Sequence, residues 1–133
     1  MDQMIQQATQ ATAFPAHRHA ATPITEDRLL HVLHRTTVQL VAGDGPDLSL
    51  RQMGVLLTVY LTDGPHAVRG LAAALNVSKP AITRALDRLG ELDLAKRRVD
   101  PSDRRSVVVV QTVKGWAFIR RVRGLLVAAE IGA

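Results

Sequence analysis

The chain predicts a mainly α fold of the α+β kind, a helix-turn-helix followed by a two-stranded basic ribbon, and three observations carry that expectation. Val68, Leu71, Ala72 and Leu75 recur at the spacing of one short helix face. After the tight Val77-Ser78 connection a second helical pattern opens on Ser78, a residue suited to cap it. The stretches Leu94–Val99 and Ser106–Gln111, the latter with four consecutive valines, read as strands joined by Asp100-Pro101-Ser102-Asp103.

The 133 residues are 47% apolar, enough to bury a sizeable core. Aromatic residues are scarce, with one Trp, one Tyr and two Phe, so Leu, Val and Ala must fill that core. An aromatic platform for stacked bases is correspondingly disfavoured. There is no cysteine, which excludes disulfides, thiolate zinc sites and cysteine redox sensing. The N-terminus has no basic segment leading into an apolar run, and no stretch is long enough to span a bilayer, so the expectation is a cytoplasmic, nucleoid-associated protein with no membrane partner.

The net charge of +5 is unevenly placed. Residues 1–78 carry five Lys/Arg against six Asp/Glu, whereas residues 79–133 carry twelve against six. A polyanion is the natural partner of so basic a second half, and double-stranded DNA is the one expected.

In chain order, residues 1–23 read as an N-terminal arm, with Met1, Met4, Ile5, Ala8 and Ala11 at helical spacing, and residues 24–133 as a single domain. Thr25 caps a helix reaching about Val41, with Leu29, Leu30, Leu33, Leu40 and Val41 on its inner side. Ser49 and Gln52 form a capping box for the next helix, flanked by Leu48 and Met53 as a staple, and that helix is expected to bury Leu50, Met53, Leu57, Tyr60 and Leu61. Asp63-Gly64-Pro65 is a turn, and the short Val68–Leu75 helix stops at Asn76. The second helix of the pair covers about 78–92, with Pro80 in its first turn and Ile82, Leu86 and Leu89 facing inward. The ribbon covers about 94–111, and Thr112 caps a last helix to about 130 with Phe118, Ile119, Val122, Leu125, Leu126 and Ala129 as its stripe.

Two helices joined by so short a turn form a helix-turn-helix pattern, whose second helix enters the major groove N-terminus first. Its outward side carries Lys79, Pro80, Ala81, Thr83, Arg84, Asp87 and Arg88. Arg84 suits bidentate guanine readout, worth ~1–3 kcal/mol of discrimination. Thr83 and Ala81 suit a thymine methyl, and Ser78 and Lys79 suit phosphates. On the ribbon, Arg97, Arg98, Arg104 and Arg105 crowd one turn, only partly offset by Asp100 and Asp103, and an arginine at such a tip can enter a minor groove.

The segments LAAAL (71–75), VSKPAITRALDRL (77–89) and DPSDRRSVVVVQTVKG (100–115) resemble the MarR (multiple antibiotic resistance regulator) family of winged helix-turn-helix transcription factors, and the likeness extends over about residues 26–118. The resemblance implies a winged helix-turn-helix DNA-binding domain with flanking dimerisation helices. It implies a homodimer on a near-palindromic operator, usually a repressor, often released by a small-molecule effector held between the dimerisation helices and the DNA-binding lobe. It assigns Ser78 to Arg88 to the recognition helix, Arg105 to the minor groove, and Asp103 to orienting that arginine. Family members commonly carry two helices after the wing. Only eighteen residues follow Gly115 here, room for one, so the expected dimer interface is smaller than usual, supplemented by the arm, or differently arranged.

Other chemistries fit less well. His31 and His34 lie one helical turn apart, with His17 and His19 upstream, but no acidic partner stands at a diagnostic spacing, so neither a metal nor another cofactor is expected. Ser49, Ser78, Ser102 and Ser106 lack a nucleophile-elbow context and no glycine-rich phosphate loop occurs, so no enzymatic activity is expected. The alternative from another class is a winged-helix adaptor whose helix face and wing bind an acidic protein without reading DNA.

Overall fold

The computed structural model describes residues 25–132, and the N-terminal arm expected over 1–23, with His17 and His19, lies outside them. In chain order the elements are α1 (Glu26–Ala42), α2 (Leu50–Leu61), β1 (His66–Ala67), α3 (Val68–Leu75), α4 (Lys79–Glu91), β2 (Ala95–Asp100), β3 (Asp103–Gln111) and α5 (Val113–Gly132). The strands form one antiparallel sheet in the order β1-β3-β2. This is the expected mainly α winged helix, with α3 and α4 as the helix-turn-helix and β2–β3 as the wing.

Local chemistry sets most of the helix boundaries. The Thr25 hydroxyl accepts the Arg28 N–H at 3.2 Å, with Glu26 and Asp27 stabilising the same helix end. Ser49 and Gln52 complete the capping box reciprocally, at 3.1 and 2.9 Å. Asn76 ends α3 in the left-handed region at φ 55°, where asparagine is tolerated better than most residues. The Ser78 hydroxyl then accepts the Ala81 N–H at 3.2 Å, opening α4 with Pro80 in its first turn.

The core gathers around α2. Val55, Leu56, Val59, Ile82, Leu86, Leu89, Leu94, Phe118 and Ile119 are all buried, and each such side chain contributes roughly 1.5–3 kcal/mol of transfer free energy. Because α2 is packed by α3, α4, α5 and β3, its inner face is broader than one stripe. Two residues expected there are nonetheless outside: Leu50 and Leu61, at the first and last positions of the helix, are 91% and 60% exposed.

The larger correction concerns α1. Its inward row is Val32 and Thr36, with Leu40 half-buried, and it packs chiefly along α5. Leu29, Leu30, Leu33 and Val41, expected to face inward, are 55%, 66%, 60% and 64% exposed. The helix therefore has two apolar faces, and the described residues cover only one. On α5, Val127 and Ile131 are exposed in the same way.

The sheet also departs from expectation. His66 and Ala67 pair with Val109 and Val108, adding a third strand to the two that were predicted. Two residues are too short to carry any periodic signal. The wing strands run closer to the tip than expected, to Asp100 and from Asp103, so the turn is only Pro101-Ser102. The Asp100 carboxylate closes it by accepting from the Ser102 N–H at 2.9 Å and the Ser102 hydroxyl at 2.7 Å, which leaves the adjoining residues free to pair.

At the other end of the wing, a polar junction ties β2, β3 and α5 to α2. The Tyr60 hydroxyl donates to the Leu94 carbonyl at 2.6 Å and accepts the Thr112 N–H at 2.9 Å. Trp116 stands edge-on to Tyr60 with ring centroids 5.0 Å apart, and its indole N–H donates to Gln111, whose amide donates to the Val59 carbonyl. Thr112 accepts the Gly115 N–H at 2.8 Å, as the expected cap of α5. Gly115 passes so close that a Cβ would sit 1.7 Å from the Tyr60 oxygen and 2.3 Å from the Leu94 oxygen. Only glycine fits there.

Candidate nucleic-acid interface

The side chains singled out in the sequence fall on one helix and one ribbon joined through the core, but they do not all present themselves outward. On α4, Lys79, Pro80, Arg84 and Arg88 are exposed, while Thr83 is half-buried with its hydroxyl donating to the Lys79 carbonyl at 3.1 Å. Ala81, expected on the outward side, is instead 6% exposed and belongs to the core side of the first turn. The tight entry from Val77 and the Ser78 cap rotate this position inward.

The arginines divide by their partners. Arg88 pairs with Glu91 at 3.2 Å, one turn along the same helix, and Arg97 pairs with the Asp87 carboxylate of α4. Arg97 therefore faces α4, not the wing tip. Adjacent residues of a strand point to opposite faces, and Arg98 lies instead beside Asp100, Pro101 and Arg104 at the tip. Lys79, Arg84, Arg98, Arg104 and Arg105 form no ion pair among the described residues.

Asp103 accepts the backbone N–H of Arg105 at 3.1 Å, so it fixes the strand at that residue through the main chain. The only resolved electrostatic perturbation in this region is at Asp100. The Ser102 hydroxyl, then the Ser102 N–H, hold its carboxyl below the ordinary value of 3.8, with the Asp103 backbone and Arg98 acting in the same direction. Ionised, Asp100 keeps the turn closed between two arginine-bearing strands.

A cleft of about 540 Å³ opens between the start of α3, the start of α4 and β3, lined by Arg69, Lys79, Asp103, Arg105 and Ser106. Arg69 is the residue that no sequence motif marks. Its signal is slight: it is a lone cation in the first turn of a short helix that has no acidic residue there.

A second cavity, about 400 Å³, lies between α1, α2 and α5. Leu33, Leu40, Met53, Leu57 and Phe118 line it together with Thr36. The Thr36 hydroxyl is buried and has no hydrogen-bond partner among the described residues. Leaving such a group unsatisfied costs about 1–3 kcal/mol.

With this geometry in hand, the chain can be set beside known proteins. Residues 47–106, from the entry to α2 through the tip of the wing, match the family model described as MarR family. Over that segment the chain is similar to MarR-family winged-helix proteins. It is 34% identical over 77 residues to the HTH-type transcriptional regulator PecS of Dickeya dadantii (strain 3937), a match covering 56% of this chain and 46% of PecS. The chain thus spans less than half the length of that curated relative. Among solved structures, CouR from Rhodococcus jostii RHA1 bound to p-coumaroyl-CoA is 28% identical with a TM-score of 0.58, over 74% of this chain and 66% of that one. A structure of the transcriptional repressor CouR bound to a 23-mer DNA duplex is 26% identical with a TM-score of 0.62, over 80% of this chain and 72% of its own. The matched MarR segment holds both the α3–α4 pair and the wing arginines.

Proposed function

We propose that this chain is a MarR-family transcriptional regulator that binds duplex DNA as a homodimer, with the N-terminal half of α4 in the major groove and the wing tip in the adjacent minor groove. The observation that carries the reading is the set of five cations, Lys79, Arg84, Arg98, Arg104 and Arg105, which have no carboxylate partner among the described residues and stand on one helix and one ribbon. Unneutralised charge of one sign so close together is unfavourable in the free protein and is relieved by phosphates. Ser78 and Lys79 approach the backbone, Thr83 and Arg84 the base edges, and Arg105 the minor groove, held at its backbone by Asp103.

The dimer is formed by the second apolar face of α1, with Leu29, Leu30 and Leu33, together with the exposed apolar residues of α5. Two recognition helices related by a two-fold axis match a near-palindromic operator, and occupancy of a promoter by such a dimer represses it. The cavity at Thr36 suits a mainly apolar small-molecule effector with one polar atom for the free hydroxyl, bound where α1 and α5 meet the DNA-binding lobe. The protein has no catalytic part in this reading.

Titrating the chain with labelled duplex DNA over a salt series tests the proposal. Affinity should fall steeply as salt rises, with log K linear in log salt. Salt-insensitive or absent duplex binding would favour the protein-binding adaptor instead.

A further inference from the structure

The cleft between α3, α4 and β3 has a consequence for which residues touch DNA. Three cations enter it from three separate elements: Arg69 from α3, Lys79 from the first turn of α4, and Arg105 from β3. The single carboxylate in the cleft, Asp103, is already engaged by the Arg105 N–H. None of the three cations has an ion-pair partner among the described residues, and the Ser106 side chain adds a hydroxyl to the wall.

The position of the cleft says what fits it. In a duplex, neighbouring major and minor grooves are separated by one sugar-phosphate strand. If α4 lies in the major groove and the β2–β3 tip in the minor groove, that strand must pass between them, and the space between them is this cleft. We infer that Arg69 and Lys79 form a seat for the backbone phosphates of the strand dividing the two grooves, beside the Arg105 side chain that leads into the minor groove, with Arg69 as a DNA-contacting residue supplied by the first helix of the helix-turn-helix. The inference rests on the groove assignment proposed above. Arg69 so placed adds affinity without sequence preference, because a phosphate is the same beside every base.

The test compares the full chain with Arg69→Ala and Arg69→Lys on a labelled duplex of random sequence and on a selected operator, by fluorescence anisotropy across a salt series. Removing one phosphate contact lowers the slope of log K against log salt by about 0.9 per bound protomer, roughly an eightfold loss at about 0.1 M salt relative to a 1 M reference. The loss should be equal on both duplexes, Arg69→Lys should keep the parent slope, and the thermal unfolding midpoint should not move, since Arg69 is exposed and outside the core. A parent-like slope for Arg69→Ala, or a loss confined to the operator, overturns the phosphate seat while leaving the groove assignment standing. Absence of salt-dependent duplex binding by the parent chain removes the groove assignment itself, and the seat with it.

Discussion

The guanidinium of Arg97 on β2 donates to the carboxylate of Asp87 on α4, joining the wing to that helix by a side-chain pair that crosses between them. Both side chains are partly exposed, so the pair contributes about 1 kcal/mol or less to stability. Its larger effect is geometric: it fixes the angle between α4 and the wing, which in the proposed binding mode decides whether both can reach adjacent grooves at once.

Arg97→Ala should therefore weaken duplex binding by roughly threefold to tenfold while shifting unfolding stability by under about 1 kcal/mol. The exchanged pair Asp87→Arg with Arg97→Asp should recover most of the lost affinity. A double-mutant cycle on binding checks this, and failure of the exchange to rescue would return Arg97 to direct phosphate contact.

Gly115 and Gly70 should respond in opposite directions to the same substitution. Gly115→Ala places a methyl group onto the Tyr60 hydroxyl and the Leu94 carbonyl, neither of which can withdraw without breaking the junction, and should destabilise by about 3 kcal/mol or more. A Cβ at Gly70 of α3 meets nothing within 4 Å, so Gly70→Ala should stabilise by roughly 0.5–1 kcal/mol. Urea unfolding midpoints of the two variants measure both.

The exposed leucines of α1 give a separate expectation. Leu30→Glu puts a charge on the apolar face that the described residues leave exposed, without touching the core, since Leu30 is 66% exposed. Sedimentation should show the parent chain as a dimer and the variant as a folded monomer with the same helical content. A variant that remains dimeric would move the subunit contact elsewhere.

The wing turn should be sensitive to acid. The Asp100 pKa is lowered by its bonds to Ser102, so its contribution is present above the unfolded value of 3.8 and is lost as pH falls through the lower folded value. The Ser102 amide signal, followed by NMR, should titrate with a midpoint below 3.8, and Arg98→Ala should move that midpoint only slightly compared with Ser102→Ala. A midpoint at or above 3.8 would mean that the turn is open in solution.

The helix-turn-helix and the wing were legible in the sequence because local chemistry fixes them. Ser49, Ser78 and Thr112 each cap the helix that follows and Asn76 closes α3 where expected, while the wing turn falls inside the expected Asp100–Asp103 stretch but is shorter, Pro101-Ser102. What local pattern does not contain is which of two apolar faces a helix turns to its own core. Periodicity grouped Leu29, Leu30 and Leu33 with the interior of α1, whereas Val32 and Thr36 occupy it. At the site, side-chain type grouped Arg97 with the other wing arginines, and helical periodicity counted from Ile82 placed Ala81 on the outward side. Strand alternation and the tight Val77-Ser78 entry decided otherwise. Arg69 carries no motif, and only the folded arrangement brings it beside Lys79 and Arg105.

The most direct test of the central assignment is selection of duplexes from a random pool by the parent chain and by Arg84→Ala. The parent should enrich a two-fold-related motif whose half-sites are centred about one helical turn apart, and Arg84→Ala should relax preference at one base pair in each half at a cost of ~1–3 kcal/mol. Absence of any enriched motif, or the same motif enriched equally by Arg84→Ala, would contradict the placement of α4 in the major groove.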